Sequence, residues 1–331
     1  MKVNNKDLNE VHLMRAFAAV SVTIFHLSLG NQALLVNKSV FTTITSFGYL
    51  GVEIFFILSG YVICYSLPPN YNYFNIKSFL AKRVVRIYPA YLISILLVVI
   101  LNSISHYITD IENHLSIIDL FANIFFLTNL GLGNYLNVVY WTLGLEIQFY
   151  LLIAISFMYI KNTYKVVFYL IILLILSSLP KINNMDIIFP NLSVFAIGII
   201  TFFYKKKQLI SLKVFFLLST ITLLHIYIFL GTAVLLASSI CFLILLFWTK
   251  INAVIKFFSN ISFSLYLTHV TIGGKIINLG LRFFHTELSR YFLFLIAFTL
   301  SILFAHFFYL IFEKPAISFS KKIKYAQNHA A

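Results

Sequence analysis

Long apolar stretches, separated by short polar segments, run through nearly the whole of this 331-residue chain. A helix that crosses a bilayer needs about 20 predominantly apolar residues, and ten stretches reach or approach that length. They predict an all-α transmembrane bundle of about ten spanning helices. Their approximate bounds are 11–29, 44–67, 87–106, 138–160, 165–179, 188–204, 211–229, 231–249, 259–279 and 291–312. The acidic segment 107–137 contains an apolar patch at 120–127, where we predict a re-entrant or interfacial helix.

The basic residues fall mainly in every second connecting segment. If the N-terminus is cytoplasmic, 18 Lys and Arg residues lie in inside segments and 5 in outside segments, while Arg15 lies within a helix. Because cytoplasmic segments of membrane proteins are enriched in Lys and Arg, both termini are predicted to be cytoplasmic. The first stretch follows Lys2 and Lys6, as a secretory signal would. It contains Arg15 and His26 and no convincing cleavage site, so we predict a permanent helix.

The composition is that of a membrane protein and excludes several other classes. Hydrophobic residues make up 61% of the chain and charged residues only 10%, whereas soluble domains carry about 25% charged residues. We therefore predict one membrane-embedded domain over 1–331, with no appended soluble domain. The net charge of +14 follows from the cytoplasmic segments and requires no nucleic-acid partner. The two cysteines lie in apolar stretches, and no residue spacing is typical of a metal site.

Four ionisable residues inside the predicted spans stand out: Arg15, His26, Glu53 and Glu146. Charged groups at membrane depth cost about 2.5–3.5 kcal/mol on insertion scales, which makes them functional candidates. Arg15 and His26 are 11 residues apart, so on a helix they share one face at depths that differ by about 16 Å. Singly, Arg15 is explained by snorkelling and His26 by an interhelical hydrogen bond. Because Arg15 and His26 share one face, we favour a functional role for the pair over these structural explanations.

Two acids are predicted to approach the level of His26. Glu53 lies about nine residues from the outer end of the second stretch, and Glu146 lies about eight residues from the start of the fourth. A carboxylate bonded to one imidazole nitrogen fixes the tautomer and raises the basicity of the other nitrogen, as a general base requires. We favour this role for Glu53 over a hydrogen bond that merely bridges helices. For Glu146, orientation of the base and binding of a hydroxylated acceptor both stay open.

A basic cluster opens the third predicted helix. Arg83 and Arg86 are spaced i, i+3 and share a face, and Arg15 adds a third guanidinium from the same side. Guanidinium forks match phosphate oxygens, so the three could hold a polyphosphate ligand. The alternative is the ordinary positive collar of a cytoplasmic surface. His269 lies near mid-membrane and, taken alone, is more simply a packing histidine. We interpret Ser59–Gly60 as a point of close helix packing rather than a nucleophile.

These residues stand in ordered motifs that resemble those of the acyltransferase 3 family. That family consists of polytopic membrane acyltransferases and includes bacterial O-acetyltransferases of surface polysaccharides and peptidoglycan. Arg15 and His26 match its pattern of Arg, ten residues, then His. The other similar segments, in chain order, are 51–60 (GVEIFFILSG), 79–91 (FLAKRVVRIYPAY), 141–150 (WTLGLEIQFY), 261–269 (ISFSLYLTH) and 313–315 (EKP). Many members have a second acid where this chain has Ile147, so any role of that acid is missing or carried elsewhere.

The resemblance implies transfer of an acyl group, most often acetyl, from cytoplasmic acyl-CoA to a hydroxyl of an extracytoplasmic glycan such as O-antigen or exopolysaccharide. The implied location is the inner (plasma) membrane. The implied partners are acyl-CoA as donor substrate, a polysaccharide or lipid-linked glycan, and the bilayer, with no bound cofactor. His26 would act as a base or carry the acyl group transiently. The implied site consists of His26 and Glu53 as catalytic residues, Arg15, Arg83 and Arg86 at the donor, and Glu146, Trp141, His269 and Tyr266 in supporting or acceptor-binding roles.

Two other classes of function fit parts of the pattern. A secondary transporter or flippase of a glycan or small metabolite also buries Glu and Arg in its helices. Such proteins commonly contain inverted repeats, and we find no such symmetry in this sequence. A non-catalytic membrane scaffold gives no reason to bury aligned ionisable groups.

Overall fold

The computed structural model describes residues 8–35, 39–109 and 115–325, and in these ranges all regular structure is helical. The α-helices are α1 (Asn9–Leu29), α2 (Val40–Ser46), α3 (Gly51–Tyr65), α4 (Ile76–Thr109), α5 (Ile117–Ile124), α6 (Tyr140–Ser156), α7 (Thr163–Ser177), α8 (Leu192–Lys205), α9 (Leu212–Leu230), α10 (Thr232–Phe247), α11 (Ala253–Gly280), α12 (Glu287–Phe308) and α13 (Lys314–Lys322). A π-helical turn, Tyr309–Glu313, joins α12 to α13.

Six helical segments in the described ranges are long and apolar enough to cross a membrane. They are Asn9–Leu29, Val40–Tyr65, Tyr73–Tyr107, Tyr140–Tyr159, Leu212–Leu230 and Glu287–Lys322. The chain is therefore a membrane protein. Three shorter apolar helices, Thr163–Ser177, Phe189–Lys205 and Thr232–Phe247, and the 28-residue α11 coincide with the other four predicted stretches. The all-helical class is confirmed, whereas the number of about ten spans and the cytoplasmic termini stay predictions.

Helix α4 begins about eleven residues before the predicted apolar stretch. Apolarity detects only the part of a helix at membrane depth, whereas capping sets where the helix begins. Asn72 and Asn75 form a capping box at the short turn that leads into α4. The additional turns place Arg83 and Arg86 within α4, as their predicted position at the opening of the third helix requires. Helix α5 likewise occupies the acidic segment at 117–124, close to the predicted patch at 120–127.

Helix α8 lies in the core of the bundle, since every residue from Leu192 to Phe203 is buried. It meets α3 through two glycines. A β-carbon on Gly60 would lie 2.1 Å from the Phe195 carbonyl oxygen. A β-carbon on Gly198 would lie 2.0 Å from the Ile57 carbonyl oxygen. The predicted close packing at Gly60 is therefore confirmed. The other extensive contacts join α1 to α11 and α11 to α12.

Candidate active site

Two cavities lie between the helices, one toward each end of the bundle. We name them inner and outer after the sides that the basic residues predict. The inner cavity, counted together with the open space at its mouth, has an empty volume of about 920 Å³, and its polar lining consists of Arg15, Ser59, Arg83, Arg86, Thr142, Glu146, Tyr150, Ser262, Tyr266 and Glu313. The outer cavity, counted in the same way, has an empty volume of about 800 Å³, and its polar lining consists of His26, Asn31, Asn102, Asn137, Thr271, Lys275 and Asn278.

Helices α1 and α11 line both cavities. Helix α1 presents Arg15 to the inner cavity and His26 to the outer one. Helix α11, which packs along α1, contributes Tyr266 to the inner cavity and Val270 to the outer one. The structure therefore places Arg15 and His26 on the face of α1 that is directed toward α11.

Arg83 is fixed in the wall of the inner cavity. Its side chain is buried, and its Nη2 donates a hydrogen bond to Ser66 Oγ. The guanidinium carbon lies 5.4 Å from the ring centroid of Phe79 and 5.7 Å from that of Tyr150, within the range of cation–π attraction. Its Nε is buried and has no hydrogen-bond partner in the described part of the chain. Arg83 therefore combines a packing role with an unused donor.

Two carboxylates share the inner cavity with the three arginines. Glu146 Oε1 accepts hydrogen bonds from Ser59 Oγ at 3.2 Å and from the Tyr150 hydroxyl. Glu313 is buried, and its Oε2 accepts from the backbone N–H of Ser264 at 3.1 Å and from Ser264 Oγ at 2.5 Å. Among the described residues, neither acid lies within 4.0 Å of an arginine nitrogen. The guanidiniums are thus available to a ligand, and the lining as a whole favours an anion.

His26 is paired with His269. His269 Nδ1 lies 2.8 Å from the Leu265 carbonyl oxygen, and because that oxygen only accepts, Nδ1 carries the proton. In a neutral His269, Nε2 is then an acceptor. It lies 3.0 Å from His26 Nδ1, which is also 3.1 Å from the Val22 carbonyl oxygen. Both contacts require the proton of His26 on Nδ1. Its Nε2 is left with a lone pair, the state that a base or nucleophile needs.

The expected hydrogen bond between Glu53 and His26 is not formed. Gly51 faces α1, because a β-carbon there would lie 2.6 Å from the Ala18 carbonyl oxygen. Glu53 follows two residues later, about 200° around the helix, and so projects away from α1. Its Oε2 is buried without a hydrogen-bond partner in the described ranges. The group that contacts the His26 imidazole is His269, and Glu146 lies in the inner cavity rather than beside His26.

A thin partition separates the two cavities. The hydroxyl of Tyr266 lies 2.6 Å from Thr142 Oγ1, and both residues line the inner cavity. One turn later on α11, Val270 lines the outer cavity, which corresponds to a rise of about 6 Å. His269 comes between Tyr266 and Val270 in the chain, and its ring centroid lies 6.1 Å from that of Tyr266. Tyr266 and His269 therefore occupy the wall between the basic cavity and the histidine cavity.

Trp141 lies in neither cavity. It lines a third one at the outer end, together with Tyr135, Val138, Lys181 and Asp186. Val138 also lines the outer cavity, so the two sites are neighbours.

Comparison with known proteins identifies the family. Residues 8–310 match the family model described as an acyltransferase domain. The chain belongs to the acyltransferase 3 family. The match extends from α1 through α12, and so includes most of the residues that line the inner and outer cavities.

Two relatives of this acyltransferase illustrate the similarity. One, from Acidianus two-tailed virus, is named "Putative acetyltransferase ORF330" and is 32% identical over 142 residues, which cover 43% of this chain and 38% of the relative. Another, from Staphylococcus aureus strain COL, is named "Putative O-acetyltransferase SACOL0978" and is 25% identical over 205 residues, which cover 58% of this chain and 29% of the relative. The chain thus matches about a third of the length of each curated relative. No solved structure matches it.

Sequence reasoning about this acyltransferase did not assign two features of the site. The pairing of His26 with His269 joins positions 243 residues apart, and nothing in the local pattern of either helix indicates it. In the sequence, Glu313 stands out only as part of the Glu-Lys-Pro segment after the last apolar stretch. The signal that could have found it is a carboxylate directly after a spanning helix, on the side predicted to carry the arginines.

Proposed function

We propose that this acyltransferase transfers an acyl group, most simply acetyl, from cytoplasmic acyl-CoA to a hydroxyl of an extracytoplasmic glycan. The observation that carries the proposal is the basic cavity at one end of the bundle and the histidine cavity at the other, with about one helical turn of α11 between them. Membership of the family supports acyl transfer, and the printed name of the staphylococcal relative supports an oxygen acceptor.

The inner cavity suits the donor. Coenzyme A carries a diphosphate and a further phosphate, and Arg15, Arg83 and Arg86 present guanidiniums that match phosphate oxygens. The acyl end of the donor is uncharged and would lie deeper, toward the partition at Tyr266. Reaching His26 requires the contact between Tyr266 and Thr142 to open, which makes donor binding and access to the outer cavity coupled events.

The outer cavity suits the acceptor. As the alcohol oxygen attacks the thioester carbonyl carbon, His26 Nε2 takes the alcohol proton. The new C–O bond forms, the C–S bond breaks, and the departing thiolate receives the proton. The imidazolium that forms in between donates from Nδ1 to His269 Nε2. The same Nε2 would be the attacking atom if His26 carried the acyl group first, so both routes use the tautomer that His269 and Val22 select. Exclusion of water by the bundle would protect the thioester.

The test uses purified protein in lipid nanodiscs with radiolabelled acetyl-CoA and the surface glycan of the host. The wild type should transfer label to the glycan, and His26→Ala should insert normally but transfer none. Normal acetylation by His26→Ala would refute the role of His26. Rapid acid quenching during turnover separates the two routes, since a labelled protein adduct is expected only if His26 carries the acyl group.

The rival hypothesis of a transporter or flippase is separated by the same assay. A transporter moves its substrate without forming a new ester, so it transfers no label from acetyl-CoA. The paired histidines between two cavities favour the enzyme, because a fixed tautomer serves proton transfer.

A further inference from the structure

A third, open cavity lies beside the outer cavity, and its empty volume, counted with the open space at its mouth, is about 710 Å³. We call it the Trp141 shelf, and its lining consists of Tyr135, Val138, Trp141, Lys181 and Asp186. Val138 is 52% exposed and lines both the shelf and the cavity that holds His26. A ligand that extends from His26 over this one side chain therefore arrives at Trp141.

The shelf has a rigid frame. The backbone N–H of Asp186 donates to the Asn129 carbonyl oxygen at 2.8 Å, and its carbonyl oxygen accepts from Gln148 Nε2 at 3.0 Å. Asn129 in turn docks on α6 at Gly144, where a β-carbon would lie 1.9 Å from Asn129 Oδ1. Its Nδ2 also donates to the Trp141 carbonyl oxygen at 2.8 Å. The loop that carries Asp186 and the helix that carries Trp141 are thus held in one arrangement, as a preorganised binding site requires.

The side chains of the shelf leave specific groups available. The Tyr135 hydroxyl donates to Asp186 Oδ2 at 2.7 Å, and burial together with this hydrogen bond raises the pKa of Tyr135, so the phenol keeps its proton. Asp186 Oδ1 forms a salt bridge with Lys181, whose Nζ lies 3.5 Å away. The Lys181 side chain is 71% exposed. Within the described ranges the indole N–H of Trp141 donates to no acceptor. The site therefore offers an indole surface, an indole donor and a carboxylate acceptor.

Sugar chemistry fits this combination. A pyranose ring has one face of C–H groups that packs on an aromatic surface, and hydroxyls at its edge that donate to a carboxylate. Trp in such a role contributes a large apolar surface and one polar donor. The one cation in the described lining of the shelf, Lys181, already faces Asp186 at 3.5 Å, whereas the inner cavity holds three arginines, so a phosphate is favoured in the inner cavity rather than here.

We propose that the Trp141 shelf is a subsite for a second sugar residue of the acceptor, next to the sugar that reacts at His26. This rests on the proposed function, because the outer cavity then holds the reacting sugar. The neighbouring sugar passes Val138, packs on Trp141 and donates a hydroxyl to Asp186. The enzyme accordingly prefers an oligosaccharide or longer glycan to a monosaccharide.

The first test measures binding and needs no turnover. The chain has only two tryptophans, Trp141 and Trp248, so Trp248→Phe yields a protein whose single tryptophan lies in the shelf. In nanodiscs, this variant is titrated with oligosaccharides from partial acid hydrolysis of the host surface glycan and, separately, with their constituent monosaccharides. We expect a saturable change in Trp141 emission at concentrations at least about tenfold lower for the oligosaccharides.

Two isosteric substitutions make the test specific. Adding Asp186→Asn to the single-tryptophan protein should raise the half-saturating oligosaccharide concentration about tenfold. Adding Glu287→Gln, at an exposed carboxylate that begins α12 and lines none of the three cavities, should leave it unchanged. Equal emission responses to oligosaccharide and monosaccharide, or an equal loss in both substituted proteins, would overturn the subsite.

Transfer of label separates this inference from the proposed function. With radiolabelled acetyl-CoA, Asp186→Asn should lower the ratio of kcat/KM for oligosaccharide over monosaccharide by about tenfold. If the wild type acetylates both acceptors and the ratio does not change, the subsite is wrong and the proposed function stands. If the wild type transfers no label while Trp141 still responds to oligosaccharide, the proposed reaction is wrong and the sugar site is supported.

Discussion

His26 Nδ1 lies 3.0 Å from His269 Nε2, and this contact links the imidazole on α1 to the backbone of α11 through the Leu265 carbonyl oxygen. The carbonyl fixes the tautomer of His269, and His269 with Val22 fixes the tautomer of His26. A second neutral imidazole thus occupies the position that a carboxylate takes in many catalytic triads. In the proposed reaction His269 is therefore a positioning residue, and the atom that acts is its Nε2 acceptor.

The distinction between the two nitrogens of His269 gives a sharp prediction. His269→Gln places an amide near the position of Nε2 and can still accept from His26, whereas His269→Asn can replace only Nδ1. We expect kcat to fall about 100-fold or more in His269→Asn and within about tenfold in His269→Gln, with KM for acetyl-CoA unchanged in both. Steady-state kinetics of label transfer measure kcat and KM for acetyl-CoA in each variant.

The control for this prediction is His285→Gln, at an exposed histidine outside both cavities. Its kcat should equal that of the wild type. Equal losses in His269→Gln and His269→Asn would mean that His269 serves packing alone.

The inner cavity predicts separate effects on the donor and the acceptor. Arg86→Ala removes charge-assisted hydrogen bonds worth about 1.5–3 kcal/mol each, so KM for acetyl-CoA should rise about 10- to 100-fold. KM for the glycan should not change. Arg86 tests this better than Arg83, whose buried guanidinium also donates to Ser66.

Lys82→Ala is the matched control on the same helix. Lys82 Nζ lies 4.2 Å from the ring centroid of Tyr325 and does not line the inner cavity. Its loss should leave KM for acetyl-CoA within about twofold, because the surface charge is screened. Similar KM values for Arg86→Ala and Lys82→Ala would remove the arginine from the donor site.

The contact between α3 and α8 predicts the response of two glycines to the same substitution. Gly198→Ala forces a β-carbon onto the Ile57 carbonyl oxygen and should destabilise the bundle by about 1–3 kcal/mol. Gly274→Ala on α11 meets nothing within 4 Å and should be neutral or stabilising by up to about 1 kcal/mol. Thermal unfolding in detergent compares the two, and equal melting temperatures would contradict the close packing.

The sequence was sufficient for the features that depend on local pattern. Each predicted apolar stretch coincides with a helical segment, and six of these segments reach the length that bilayer thickness sets. The common face of Arg15 and His26 follows from helical periodicity, and the packing role of Gly60 follows from its small size. These inferences need only the residues of one element.

The features that failed depend on how elements are rotated against one another. Depth along the helix pairs Glu53 with His26, but depth does not determine which side of α3 faces α1. The structure settles that through the contact of Gly51 with Ala18. The partner of His26 comes instead from α11, 243 residues away. Matching depth along two helices is therefore weak support for a contact unless the facing sides are also known.

Glu313 gives a further prediction that separates charge balance from ligand binding. The carboxylate interacts electrostatically with Arg15 and Arg86 across the inner cavity, and Ser264 holds it in place. In Glu313→Gln the amide oxygen can still accept from Ser264, but the three guanidiniums lose one of their two opposing charges. The protein without ligand should melt at a lower temperature, because buried like charges are then less compensated. Free coenzyme A should raise that melting temperature by more than it does for the wild type, since a ligand stabilises according to its affinity.

Glu10→Gln is the control for this prediction, because Glu10 pairs with Lys205 at 3.2 Å outside the cavity. This substitution should also lower the melting temperature but leave the shift caused by coenzyme A unchanged. Identical shifts in all three proteins would show that Glu313 does not face the donor.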